Sequence, residues 1–183
     1  MSDGSRRDGL RRLTVAQGDS QVSNEEDLIL TTVLGSCIAA CFYDPVARVG
    51  GINHYLLARG KATDETSLKR YGVYAMEVLI NAMFAMGASR RNLKARIFGG
   101  ATMRSAFGDI GNDNIAFAHN FLRNERIPLV GEDTGGTAAR RVEFRPALGL
   151  ARCRTVANTT IAPAVIAPRP TPVADTHGDV EFF

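Results

Sequence analysis

Apolar residues along this chain follow two rhythms. Leu28 to Val33 is a run of apolar and β-branched residues with no helical period, and it predicts a strand. Gly35-Ser36 interrupts it. Ile38 to Tyr43 is a second such run, closed by the turn signal Asp44-Pro45. Arg48 to Leu57 is a third, with Gly50-Gly51 inside it, where a bulge or a close backbone approach is expected. The rhythm then changes. Val73, Met76, Ile80 and Met83 recur at helical spacing, with Leu79 and Phe84 widening the stripe, and predict a helix over 71–86. Asp64, Thr66 or Ser67 is suited to cap its start, and Gly87 to end it.

Leu93 to Phe98 predicts a further strand, followed by Gly99-Gly100. This pair is either a turn or a place where a substrate backbone comes close. Asn112 is placed to cap a second helix running to about Arg126, with Ile115, Ala118, Phe121 and Leu122 on its buried side. Pro128 suits an exit into a strand over 127–130. Glu132 to Gly136 reads as a turn by composition. Arg140 to Arg145 alternates as a strand, Pro146 to Gly149 turns the chain, and Leu150 to Val156 returns beside it. A first strand is expected within 10–16. Segments 17–27, 58–69 and 102–111 read as loops; the second either rims a site or, as we prefer, only connects.

This order of elements predicts an α/β protein. It is a layered sandwich, with mixed or antiparallel sheet in one or two layers flanked by two main helices. Residues 10–156 form one domain. Residues 1–9 are polar and expected to be a disordered arm. Residues 157–183 carry Pro163, Pro168, Pro170 and Pro172 among small residues, and are expected to be a disordered tail.

Composition narrows the class. The chain has 183 residues, 45% of them hydrophobic, which allows a substantial core. It has no apolar run of about 18 residues and no apolar leader, so a cytoplasmic location without membrane insertion is expected. Three cysteines without a CxxC pair argue against a disulfide framework, and the three histidines lack ligand spacing, so no metal is expected. The net charge of +3 permits an acidic partner but does not demand one. The basic residues are dispersed apart from the N-terminal arginines, and no aromatic-basic stripe marks a nucleic-acid binder. No dinucleotide or phosphate-loop fingerprint is present.

The candidate chemistry lies in the central strands. Cys37 sits where a turn enters a strand, so its sulfur can be exposed while neighbouring backbone N–H groups, around Gly35 and Ser36, face a developing oxyanion. A free thiol needs a base beside it at neutral pH. His54 is the nearest candidate, and two antiparallel strands can bring the pair side by side. The plainer alternative is a buried small hydrophobe and a hydrogen-bonded histidine. His119 is read as an exposed or edge residue, Cys153 as structural, and Asp133 as a turn residue more readily than as a partner of His54. His177 lies in the tail and is not read as a site residue.

The segments LGSCIAACFYDP and GGINHYLL, followed by KARIFGGATM, IGNDNIAF and GEDTGGTAARRVEF, resemble the CheD family of chemoreceptor glutamine deamidases over roughly residues 28–156. The resemblance implies a layered α/β sandwich. It implies a Cys, His and Thr active site at Cys37, His54 and, six residues before the cysteine, Thr31. Thr32 is adjacent, and nothing physical in the sequence chooses between the two. The implied reaction is thiol hydrolysis of a glutamine carboxamide in the cytoplasmic helices of chemoreceptors, without metal or organic cofactor. The implied partners are those receptors and a CheC-type phosphatase. A docking module without catalysis is the alternative, and Cys37 with His54 argues against it. A peptidase or a transamidase would use the same pair.

Overall fold

The computed structural model describes residues 9–57, 65–102 and 110–156. The expected tail, His177 and all but Gly9 of the expected arm lie outside the described residues.

Nine strands among them form two sheets. The first has the order β1 (Arg11–Thr14), β3 (Leu28–Leu34), β8 (Arg140–Arg145), β9 (Leu150–Thr155). The second has the order β2 (Ser20–Ser23), β5 (Val49–Tyr55), β4 (Ile38–Asp44), β6 (Lys94–Gly99), β7 (Leu129–Thr134). Two pairs, β1–β3 and β6–β7, are parallel and the others antiparallel, so both sheets are mixed. Helices α1 (Glu65–Ala85) and α2 (Ile110–Asn124) cover the outer face of the second sheet. The expected α/β layering is present.

The second sheet is the middle layer, which explains the apolar runs. A strand buried on both faces shows no polar alternation. Ile38, Ala40 and Phe42 of β4 face the helices and pack with Met76, Leu79, Met83, Phe121 and Leu122. Ala39 and Cys41 face the first sheet and pack with Leu30, Leu34, Val142 and Phe144. Glycines 50 and 51 sit where neighbouring layers approach closely. A Cβ on Gly50 would stand 2.3 Å from the Pro146 carbonyl oxygen, and one on Gly51 2.7 Å from the Leu79 side chain. The expected close approach is therefore internal packing.

Some boundaries differ from expectation. Strand β2 falls within the expected loop over 17–27; it is a polar edge strand with Val22 as its one apolar residue, pairing with β5. Helix α1 begins at Glu65, inside the expected 58–69 loop, because charged residues such as Glu65 and Lys69 read as loop yet form helix readily. Thr66 and Ser67 therefore lie within the helix. Helix α2 begins at Ile110, so Asn112 lies in its first turn rather than at its cap. Strand β7 extends through Thr134, and the turn shrinks to Gly135-Gly136, both at positive φ.

The chain passes between sheets at two places that matter for the site. It crosses from β1 to β2 through residues 15–19, and from β3 to β4 through residues 35–37.

Candidate functional site at the seam of the two sheets

Cys37 ends the second crossover. Three successive carbonyls hold this turn in place. Gly35 accepts from the Ala101 N–H at 2.9 Å and Cys37 from the Gly100 N–H at 2.8 Å. Ser36 accepts from Asn114 Nδ2 at 2.8 Å. Asn114 is fully buried, and its Oδ1 accepts from the Leu57 N–H at 2.9 Å. One side chain of α2 thus ties the cysteine turn to the end of β5. Gly99, at φ 107°, lets this happen: a Cβ there would lie 2.1 Å from the Cys37 carbonyl oxygen. The double glycine receives the chain's own cysteine turn.

Register places His54 on the same sheet face as Cys37. His54 opposes Ala39 across the β4–β5 ladder, and Ile52 opposes Cys41. Side chains two apart on a strand share a face. Cys37, Ala39, Cys41 and Ile52 all join the cluster between the sheets. Cys37 is therefore one diagonal step from His54, a spacing across which long side chains interact.

The first sheet orients the imidazole. Thr32 Oγ1 lies 2.9 Å from His54 Nδ1 and 2.8 Å from the Val15 carbonyl oxygen. A carbonyl can only accept, so the single hydroxyl proton goes to Val15. Toward His54 the hydroxyl then accepts, which places the ring proton on Nδ1. Nε2 is left as a lone-pair acceptor. It is buried and without a hydrogen-bond partner among the described residues. Burial lowers the His54 pKa below 6.5, only partly offset by the Val15 carbonyl and Asp19. The histidine is thus held neutral, with its buried Nε2 able to accept a proton.

Burial also pushes the Cys37 thiol up to about 11, against a smaller favourable contribution from the residue's own backbone N–H. The resting pair is a thiol and a neutral imidazole.

Thr31, the expected third member, is not the residue on His54. Adjacent strand residues point to opposite faces. Thr32 shares its face with Leu30 and Leu34 in the inter-sheet core, so Thr31 is turned away from the site. Thr32 is the residue hydrogen-bonded to His54. Gly35 and Ser36 lie in the cysteine turn, as expected.

One residue here had no forecast. Gln17 Oε1 accepts from Cys37 Sγ at 3.5 Å. Gln17 lies on the other crossover, in a turn closed by Asp19 N–H to the Ala16 carbonyl at 3.0 Å, with Gly18 at φ 91°. That is a type II turn with Gln17 at its first corner. The turn is fastened to β5: Gly18 N–H donates to the His54 carbonyl at 2.7 Å, and His54 N–H to the Asp19 carbonyl at 3.1 Å. Gln17 opens the expected loop over 17–27, and nothing in that reading placed it against Cys37.

The remaining candidates fall elsewhere. His119 pairs with Glu132 at 2.8 Å on the surface. Asp133 pairs with Arg140 at 2.8 Å. Cys153 is partly exposed on β9, and Cys41 is fully buried. Among the described residues no helix is long and apolar enough to cross a membrane.

The seam of this two-sheet sandwich thus holds a thiol, a hydroxyl-oriented imidazole and a carboxamide. The chain belongs to the CheD family. The family model described as CheD chemotactic sensory transduction matches residues 56–155. A Zymomonas mobilis protein named probable chemoreceptor glutamine deamidase CheD is 59% identical over 94% of this chain and 93% of its own. Proteins of the same name from Caulobacter vibrioides and Rhizobium meliloti are 49% and 44% identical, each over 94% of this chain and over 93% and 96% of their own.

Proposed function

We propose that this protein is a chemoreceptor glutamine deamidase in which Cys37 is the nucleophile and His54 the general base. The observation that carries the mechanism is the orphaned Nε2 of His54, left unprotonated by the hydrogen bond that Thr32 accepts. A buried acceptor without a partner is costly, and in this reading it takes the thiol proton.

The steps balance with water alone. The Cys37 proton moves to His54 Nε2 as Sγ attacks the side-chain carbonyl carbon of a glutamine. The tetrahedral oxyanion is met by backbone N–H groups of the cysteine turn, around Ser36 and Cys37, each such donor worth about 2.7–4 kcal/mol. His54 returns the proton to the departing nitrogen, ammonia leaves, and a thioester remains. His54 then takes a proton from water, hydroxide attacks the thioester, and Cys37 departs with the proton restored. The product is a glutamate. Thr32 acts through His54 by holding the imidazole in this tautomer, the task of a triad's third member.

The substrates in this reading are glutamines on the cytoplasmic helices of chemoreceptors, and the site of action is the cytoplasm. The family resemblance adds a CheC-type phosphatase as a partner.

Mass spectrometry of a chemoreceptor cytoplasmic fragment tests the proposal. The wild type is expected to add about one dalton per modified glutamine, the exchange of amide for acid, with one ammonia released and neither cleavage nor crosslinking. Cys37→Ala is expected to add nothing, and His54→Ala nearly nothing. Equal modification by wild type and Cys37→Ala would refute it.

A further inference from the structure

We propose that the carboxamide of Gln17 is a catalytic group: a side-chain donor to the oxyanion that forms when Cys37 attacks. The inference rests on the deamidase reading above and adds a residue to its machinery.

Gln17 Oε1 is the atom in contact with Sγ of Cys37. In the resting enzyme a thiol has one proton to give, and the carboxamide oxygen accepts it. Once that proton has moved to His54 Nε2, the sulfur has nothing left to donate. A thiolate and a carboxamide oxygen then repel each other. A carboxamide carries two N–H donors on the same pivot as its oxygen, so a rotation about Cγ–Cδ replaces the acceptor with a donor. The negative charge passes from sulfur to the substrate oxygen, one bond beyond the carbon that sulfur attacks. A donor already against the sulfur is therefore within reach of the oxyanion. Side-chain carboxamides do this work in other acyl-transfer sites.

The surroundings suit that role. Gln17 is exposed, which leaves room for the rotation, whereas Cys37 is only 8% exposed. The backbone beneath Gln17 is fixed on both sides. Val15 N–H donates to the Thr31 carbonyl at 2.9 Å, and Gly18 and Asp19 are bonded to the backbone of His54. The same strand that carries the base thus sets the height of the carboxamide over the sulfur. A preorganised donor costs little to reorganise during reaction, which is where such groups gain their effect.

Gln17→Ala and Gln17→Glu test this, with turnover on a chemoreceptor fragment, alkylation of Cys37 by iodoacetamide, and thermal unfolding measured side by side. Turnover by the wild type and its loss in Cys37→Ala establish the deamidase reading independently. Gln17→Ala is expected to lower kcat by about 10²–10³-fold with little change in KM, as for a lost oxyanion donor. Its alkylation rate should fall no more than about twofold, because alkylation forms no oxyanion. Gln17→Glu, an isosteric acceptor beside the developing charge, is expected to be at least as impaired. Both substitutions lie on an exposed turn, and an unchanged unfolding midpoint will show that the fold is intact. A kcat for Gln17→Ala within twofold of wild type, or above it, would overturn the proposal in favour of a side chain that merely covers the thiol. A parallel loss of alkylation and turnover would also overturn it, since Gln17 would then act on the thiol itself. Appearance of glutamate at position 17 in active wild type would overturn it as well, by making Gln17 a substrate.

Discussion

Thr32 accepts the Nδ1 proton of His54 because its own proton is committed to Val15. The hydroxyl is a relay whose direction is set by a backbone carbonyl, which can only accept. Thr32→Val removes the relay while keeping the side chain's shape, and is expected to lower kcat/KM by at least about tenfold. It should stop short of the ~10⁴-fold seen when a triad loses the carboxylate that sets the tautomer, since Nδ1 retains the nearby Val15 carbonyl. Thr32→Ser keeps the hydroxyl and should stay close to wild type. Thr31→Val should also stay close, because that side chain faces away from the seam. Nitrogen NMR of His54 provides the direct check: Nε2 unprotonated in wild type, mixed tautomers in Thr32→Val.

In the proposed mechanism the histidine gives the activity its acid limb. Burial lowers the His54 pKa below its ordinary 6.5, so the imidazole is neutral at neutral pH. The base is lost only when pH falls through that depressed value. The acid limb of kcat/KM should therefore have its midpoint below 6.5. The stability consequence has the same sign. The unfolded chain binds this proton more readily than the folded one, so the contribution of neutral His54 is complete above 6.5 and disappears as pH falls through the folded value. His54→Gln should flatten that part of the stability profile. An acid limb centred above 6.5 would contradict the buried neutral base.

How far this could be read in the chain depends on what each residue contrasts with. Strands β3, β4 and β5 were legible because apolar runs without helical period have few other fates. Their phase was not. Thr31 and Thr32 are both buried and both sit among apolar neighbours, so no alternation marks which one faces β5. Only the pairing of sheets decides it. The polar edge strand β2 resembles a loop for the same reason: one apolar residue carries no period. Cys37 and His54 were legible as a pair because a short hairpin joins their strands. Gln17 belongs to a crossover that reaches Cys37 only after the two sheets have stacked.

The thiol should behave unlike that of an ion-paired cysteine. Burial raises the Cys37 pKa to about 11, so at neutral pH almost no thiolate exists in the free enzyme. The thiolate is the nucleophile in alkylation. The rate of Cys37 modification by iodoacetamide should thus climb steadily between pH 7 and pH 10, without the neutral-pH plateau of a thiolate–imidazolium pair. Cys41 is fully buried and pushed up further by desolvation, and it should remain unmodified in the folded protein. Cys41→Ala should leave turnover unchanged and cost about 1 kcal/mol of stability through the small void it creates. A plateau near neutrality would mean that the pair rests as ions, and His54 would then be acid rather than base at the first step.

A buried amide supplies one of the three anchors of the cysteine turn. Asn114 donates to the Ser36 carbonyl and accepts from the Leu57 N–H, so Asn114→Ala strands two backbone groups at once. Each unsatisfied buried group costs about 1–3 kcal/mol, and urea denaturation should register the loss. Asn114→Asp separates anchoring from stability. Its carboxylate still accepts from Leu57 but has no proton for Ser36. The turn bearing Cys37 then loses the middle of its three carbonyl anchors while the Gly35 and Cys37 carbonyls keep theirs. A nucleophile displaced by about 1 Å can cost about a hundredfold in rate, so kcat should fall by that order with a smaller loss of stability than in Asn114→Ala. If Asn114→Asp turns over normally, the Ser36 bond is dispensable and the glycine pair alone positions the sulfur. In that case Gly99→Ala, whose Cβ would meet the Cys37 carbonyl oxygen at 2.1 Å, becomes the variant in which turnover is lost.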